Sequence, residues 1–166
     1  MDRDLSLRLH TLTARLDRAA DRILRAEQNL SYRRFLVLFM VDMMGTPTQR
    51  ALAERLGVTE PSVSRMTSAL ARTGLLDARP DPAGGNRRQL RLTASGRELV
   101  WRCRELLEGR LAALVEASGV PYDVYARYTN QLLAALDSGE NGDRPATTAP
   151  DNLPLPDRQQ AAATTT

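Results

Sequence analysis

A pair of short helical patterns followed by a turn-rich stretch, within residues 46–92, constrains the fold more than any other feature of the sequence. The first pattern is stopped by Gly57. The second has Thr59 at the N-cap position and Pro61 in its first turn, where a missing N–H group costs nothing, and it ends at Gly74. Two short helices joined by a glycine-containing turn predict a helix-turn-helix.

Capping patterns set the other expected helix boundaries. Thr46, Pro47 and Gln49 have the spacing of an N-cap, a proline at the first helical position and a capping-box glutamine, so we expect the first short helix to begin at Thr46. Ser31 is expected to cap a helix that runs through the apolar residues 35–41 and ends at Gly45. An amphipathic helix over residues 5–28 is expected to precede it.

The turn-rich stretch predicts a β-hairpin. Residues 75–79 and 89–92 are short extended candidates, and the segment between them is rich in Pro, Gly, Asp and Asn. Thr93 is expected to cap a long helix that ends near residue 118, and a last helix starts at Pro121. The sequence therefore predicts a mainly α winged helix-turn-helix with a small β-hairpin wing and flanking N- and C-terminal helices.

Composition fits this organisation. Aromatic residues make up 4% of the chain, so Leu, Val, Ala and Met must fill the core, which suits packed helices. We expect one domain over residues 1–137. Residues 138–166 are rich in Pro, Thr, Ala and Asp and are expected to be a disordered tail.

The basic residues are concentrated in the predicted helix-turn-helix and hairpin. The chain contains no lysine, and residues 48–92 carry eight arginines against four acids, whereas the rest is close to neutral. Guanidinium groups bind phosphate in bidentate geometry. This distribution favours a nucleic-acid partner.

The second short helix is predicted to have two different faces. At 100° per residue, one face is apolar and consists of Val63, Met66, Thr67 and Leu70. The opposite face consists of Pro61, Ser64, Arg65, Ser68 and Arg72. Small hydroxyl groups allow close approach to base edges, and guanidinium groups bind guanine or phosphate, so this face suits the major groove of DNA.

The run TQRALAERLGVTEPSVSRMTSALARTGLLDARPDP (48–82), with RRQLRLTASGREL (87–99), resembles the MarR family of winged-helix regulators. With flanking helices of matching number and length, the resemblance covers residues 5–136. It implies a homodimer joined by the first and last helices, a pseudo-palindromic operator, and in many members DNA release by a small, often aromatic, ligand. The family's wing usually has Asp, any residue, Arg, where this sequence has Gly84–Gly85–Asn86; we expect Arg87 to be the inserted arginine.

We therefore predict a cytoplasmic, sequence-specific DNA-binding regulator, acting as a repressor, with double-stranded DNA, a second copy and a small aromatic effector as partners. The predicted DNA-binding residues are Thr48, Gln49, Thr59, Pro61, Ser62, Ser64, Arg65, Ser68, Arg72, Arg87 and Arg88. The alternative is a winged-helix adaptor that binds only protein, which predicts an acidic or apolar face in place of Arg65 and Arg72. An enzyme would need a cofactor loop or an acid–base pair after Leu136, and the sequence has neither.

The sequence favours structural roles for the single cysteine and the single histidine. Cys103 lies in the apolar stripe of the long helix, which predicts a buried, unreactive thiol. His10 is the only histidine and has no partner for a metal site or a catalytic dyad, so we expect no metal and no cofactor. Trp101 and the tyrosines 122, 125 and 128 suit either core packing or a ligand cleft. No apolar run is long enough to span a membrane. Residues 1–8 carry two acids and lack the basic region and apolar stretch of a secretory signal, so we expect none.

Overall fold

The computed structural model describes residues 4–80 and 88–140 of the chain. In the described part, the elements follow the order α1 (Leu5–Gln28), α2 (Tyr32–Met44), α3 (Gln49–Leu56), α4 (Glu60–Arg72), β1 (Leu76–Pro80), β2 (Arg88–Leu92), α5 (Ala94–Ala117) and α6 (Tyr122–Glu140). The mainly α winged helix-turn-helix fold predicted from the sequence is therefore confirmed. Arg87, the rest of the hairpin tip and residues 141–166 of the predicted tail lie outside the described residues.

The chain divides into two compact units, one ending at Ala117 and the other beginning at Ser118. The first unit contains α1 to α5 and the hairpin, and the second contains α6. Helix α6 continues to Glu140, past the start of the predicted tail at Ser138. The assignment of residues 1–137 to one domain stays a prediction.

Helix α2 forms the centre of the core of the first unit. It contacts α1, α3, α4, α5 and β2. Its side chains Phe35, Val37, Leu38 and Val41 are buried, as the apolar run over residues 35–41 predicted. Ser31 caps it as predicted, because its side chain accepts a hydrogen bond from the backbone N–H of Arg34. The other elements of the first unit are thus packed around the buried apolar side chains of α2.

Helix α3 begins two residues later than the sequence pattern predicted. Thr48, and not Thr46, is the N-cap, and its hydroxyl accepts a hydrogen bond from the N–H of Ala51 at 3.2 Å. The carbonyl of Pro47 accepts from the N–H of Leu90 at 2.8 Å, and Thr48 forms a β-bridge with Gln89. The backbone before α3 is therefore extended along β2, because pairing with a distant strand outweighs the local capping pattern.

The two strands of the wing pair in antiparallel register, from Leu76 opposite Leu92 to Pro80 opposite Arg88. Both strands begin and end within one residue of the limits predicted from the sequence. Leu76, Leu90 and Leu92 are buried, so the base of the hairpin is part of the core. Arg79 and Arg88 lie at the other end of the paired strands, away from this buried base.

A tight corner joins the hairpin to α5. Thr93 caps α5 as predicted, accepting a hydrogen bond from the N–H of Gly96 at 3.0 Å, and its hydroxyl donates to the carbonyl of Gly74 at 2.7 Å. Its backbone N–H donates to the carbonyl of Leu75 at 3.2 Å. A Cβ atom built on Gly96 would overlap that same carbonyl oxygen. The start of α5 is therefore fixed against the chain that leaves α4.

Cys103 is fully buried in the core, as the sequence predicted. Burial raises the pKa of its thiol to about 11, with a smaller opposing effect from Arg102. We expect the native protein at neutral pH to react with a disulfide reagent at least roughly 100-fold more slowly than the unfolded chain, because the raised pKa lowers the thiolate fraction by about that factor and burial also blocks access to the sulfur. Thiol titration with and without guanidinium chloride measures this ratio. Equal rates in the two conditions would show that the thiol is accessible in the folded protein.

None of the helices in the described part of the chain has the length and apolar character needed to cross a membrane.

Candidate nucleic-acid interface

Helix α4 has the two faces that its sequence predicted. Val63, Thr67 and Leu70 are buried against the core, and Met66 is partly buried. The opposite face is open to solvent: Pro61, Arg65, Ser68 and Arg72 are exposed, and Ser64 is partly exposed. The structure therefore presents a surface with hydroxyl and guanidinium groups that remains open to solvent among the described residues of the first unit.

A hydrogen-bonded bridge fixes α4 relative to α3. The side-chain amide of Gln49 donates to the hydroxyl of Thr67 at 3.3 Å, and this hydroxyl donates to the carbonyl of Ser64 at 3.2 Å. Thr67 is the one buried polar residue among those described, and this bridge satisfies it. Gln49, which the sequence placed among the DNA-binding residues, thus has a hydrogen bond that joins α3 to α4.

The beginning of α4 differs from the sequence expectation in one respect. Thr59 is at the N-cap position with extended backbone angles, but its side chain does not cap the helix. Its hydroxyl lies 3.0 Å from the hydroxyl of Ser62 instead. Glu60 in the first turn compensates, since a carboxylate there interacts favourably with the helix dipole.

A depression of about 660 Å³ lies between α3, α4 and the start of β2, and we call it the α3–α4 cleft. It brings together five of the predicted residues and four others: Thr48, Gln49, Ser64, Ser68 and Arg88, with Arg50, Ala51, Glu54 and Glu60. Residues that are up to 40 positions apart in the chain thus share one concave surface. Its size and lining suit the edge of a polar ligand such as a nucleic acid.

The α3–α4 cleft contains acids as well as arginines. Arg50 donates to Glu54 at 3.0 Å, and this hydrogen bond is the largest cause of the raised pKa of Arg50, followed by the charges of Glu54 and Glu60. Sequence reasoning did not select Arg50, although its spacing of four residues from Glu54 was a visible signal. The cleft is therefore mixed in charge, and a carboxylate there can accept a hydrogen bond from the amino group of cytosine.

Arg65 and Arg72 carry positive charge that the described part of the chain leaves unpaired. Arg25, Arg50, Arg79, Arg102 and Arg110 each form an ion pair with a nearby acid. No carboxylate in residues 4–80 or 88–140 pairs with Arg65 or Arg72. Arg65 lines a second depression beside α4, outside the α3–α4 cleft. These two guanidinium groups are thus available to an external anion.

An apolar cavity of about 290 Å³ lies in the first unit between α1 and α5. Tyr32 and Asp17 are at its polar edge, and burial raises the pKa of Tyr32, with Asp17 adding to the effect through its charge and a hydrogen bond. Its apolar lining includes Leu16, Leu107 and Leu111. Trp101, for which the sequence left core packing and a ligand cleft open, is 61% exposed on α5 and so does not pack in the core of the single chain. The aromatic residue at this cavity is Tyr32, which sequence reasoning did not select.

The fold and these surfaces define a winged helix-turn-helix protein. Residues 28–85 match the model of the MarR family, which confirms the resemblance inferred from the sequence. No curated protein matches the chain significantly.

Three solved structures illustrate the similarity. MarR from E. coli in its apo form has a TM-score of 0.68 and 22% identity over 80% of this chain and 96% of that chain. A mutant of the same protein complexed with operator DNA has a TM-score of 0.66 and 21% identity, with coverages of 81% and 94%. The PcaV transcriptional regulator from Streptomyces coelicolor, in complex with its natural ligand, has a TM-score of 0.60 and 23% identity, with coverages of 84% and 99%. This chain therefore has the fold of MarR-type regulators.

Proposed function

We propose that this protein is a sequence-specific DNA-binding transcription regulator, which acts as a homodimer on a pseudo-palindromic operator and represses transcription. The observation that carries the proposal is the exposed face of α4, on which Ser64, Ser68, Arg65 and Arg72 lie together. In helix-turn-helix proteins the second helix enters the major groove. The α4 face combines groups that read base edges with groups that bind phosphate.

In the proposed mode of binding, each subunit inserts α4 into one of two major grooves, about 34–36 Å apart along the duplex. Ser64 and Ser68 approach base edges closely because their side chains are short, and Arg65 forms paired hydrogen bonds with a guanine. Arg88, with Arg87 beside it in the sequence, binds phosphates or the minor groove next to the site.

Exposed apolar side chains in both units support a dimer. In α1, Leu5, Leu9 and Leu12 are 58%, 46% and 40% exposed. In α6, Leu132 and Leu136 are 61% and 65% exposed. Adjacent large apolar residues on the surface of a soluble protein usually mark an interface, and the occupant we propose is a second copy of this chain.

The proposal includes release of the DNA by a small aromatic effector. The apolar cavity beside Tyr32 supports it, because its volume of about 290 Å³ is near the lower limit for a small-molecule site. Its few polar groups, including Asp17, would orient a ligand.

Selection of random duplexes with the purified protein tests the proposed function. We expect enrichment of an inverted repeat whose half-sites are one helical turn apart, because a two-fold symmetric dimer presents two copies of α4. A single enriched half-site would contradict the dimeric mode. Failure to enrich any sequence would contradict DNA reading and favour the protein-binding adaptor.

Replacing Arg65 with alanine should weaken binding to the selected operator by about 1–3 kcal/mol, since one good bidentate contact with guanine contributes that much discrimination. Fluorescence anisotropy titrations of operator and unrelated duplexes measure the effect. Arg102→Ala is the matched control, because Arg102 lies on α5 and is paired with Glu98. Unchanged operator affinity for the Arg65 variant would remove this residue from base reading.

A further inference from the structure

A second depression beside α4, of about 260 Å³, is lined by residues from two parts of the first unit. Arg33 comes from the first turn of α2, and Ser62, Arg65 and Met66 come from α4, with Val58 from the preceding turn. We call it the α2–α4 cleft. It combines two guanidinium groups and one hydroxyl group over an apolar floor, a set of donors that suits a phosphate group.

The charges in the α2–α4 cleft have no internal counterion among the residues that the structure describes. Neither Arg33 nor Arg65 pairs with a described carboxylate, and both side chains are exposed. Arg25 and Arg50, on the neighbouring helices α1 and α3, do pair with acids. Two unpaired guanidinium groups that face one depression repel each other, and a bound anion would relieve this repulsion.

The backbone that carries Arg33 is fixed in place. The N–H of Tyr32 donates to the side chain of Asp21 in α1 at 2.9 Å, and the N–H of Arg34 donates to Ser31. These bonds hold the start of α2 on both sides of Arg33. The N-terminal end of a helix also carries partial positive charge, which favours an anion nearby. Arg33 therefore lies at the cleft on a helix terminus that is already ordered. Binding an anion there should cost little backbone entropy.

We propose that the α2–α4 cleft binds a phosphate of the DNA backbone next to the bases that α4 reads, with Arg33 as its main contact. This inference rests on the proposed function. DNA is the occupant that the surroundings favour, because Arg65 belongs both to this cleft and to the exposed face of α4. A phosphate bound by Arg33 and Ser62 would therefore adjoin the base contact of Arg65. Such contacts set the register of a protein on the duplex and carry no sequence information themselves.

Anisotropy titrations over a range of salt concentrations test the inference. The full chain is compared with Arg33→Ala, Arg33→Lys and Arg34→Ala, on the selected operator and on an unrelated duplex of equal length. Removing one phosphate contact should reduce the slope of log K against log salt by about 0.9 for each bound subunit. For Arg33→Ala we expect this reduction, and a loss of affinity by the same factor on both duplexes. Arg33→Lys should retain most of the slope, since it keeps the charge.

Arg34→Ala is the matched control, because it removes the same charge from the next residue, which lines a different depression with Arg25, Asn29 and Ser31. An unchanged slope for Arg33→Ala, or an equal reduction for Arg34→Ala, would overturn the inference. Binding of inorganic phosphate that depends on Arg33, with DNA binding unaffected, would also overturn it. If the wild-type chain binds no duplex, the proposed function fails, and this outcome is distinct from a binding protein with unaltered slopes.

Discussion

Replacing Gly96 with alanine is expected to lower the free energy of unfolding by about 1–3 kcal/mol, and toward the upper end of this range. The added methyl group would overlap the carbonyl oxygen of Leu75 and lie 3.1 Å from its carbonyl carbon. Both are backbone atoms, so no side chain can rotate to make room. The start of α5 must move away from the corner between α4 and β1.

This movement also strains the hydrogen bonds of Thr93 to Gly74 and Leu75. For a chain of this size each kcal/mol corresponds to roughly 2–4 °C in Tm, so thermal unfolding at equal protein concentration measures the loss. Gly109→Ala is the matched control in the same helix, because nothing lies within 4 Å of its added Cβ atom. The Gly109 variant should have a free energy of unfolding about 0.5–1 kcal/mol higher than the wild type, because alanine has the better helix propensity. A Gly96 variant with a Tm equal to or above that of the wild type would show that the Leu75 backbone does not restrict the side chain at residue 96.

Replacing Leu132 and Leu136 together with glutamate is expected to yield a monomer that binds the two-half-site operator on the order of 10²–10⁴-fold more weakly. Both leucines are more than half exposed within α6, at 61% and 65%, so the fold of the single chain does not depend on them. Glutamate is a good helix former, so α6 itself should persist. In a dimer interface, each unpaired carboxylate would be costly to bury. Loss of the second half-site contact removes the avidity of a bivalent complex.

Light scattering coupled to size-exclusion chromatography measures the oligomeric state, and anisotropy measures the affinity. Asn130→Glu with Ala134→Glu is the matched control: it adds the same number of carboxylates to α6, at helical positions opposite Leu132 and Leu136, and both residues are exposed. The control should remain dimeric and bind the operator as the wild type does. A leucine variant that stays dimeric at the same concentration would show that this part of α6 does not join the subunits.

Much of the candidate interface was predictable because it depends on local periodicity. The spacing of Val63, Thr67 and Leu70 identifies the buried face of α4, and the structure confirms it. The exposure of Arg65 and Arg72 follows from the same 3.6-residue period. That these side chains contact DNA stays a prediction.

Other residues of the site could not be found from sequence patterns. Arg33 and Arg65 are 32 positions apart, and only the packing of α2 beside α4 places them in one cleft. Tyr32 lines the apolar cavity because α2 lies against α1 and α5. The periodicity within one helix carries no information about the distance between two helices. The residues of the cleft and of the cavity can therefore be identified only in the folded structure.

The sequence by itself determined the order of the helices, the hairpin and the buried side of α4, because each depends on residues within one or two helical turns of each other. Tertiary structure decided where α3 begins: Thr46 and Pro47 have the local spacing of a helix start, but pairing of the Pro47 carbonyl with Leu90 keeps this backbone extended. Contacts between distant residues can outweigh a capping preference of about 1 kcal/mol, and a sequence pattern does not contain them.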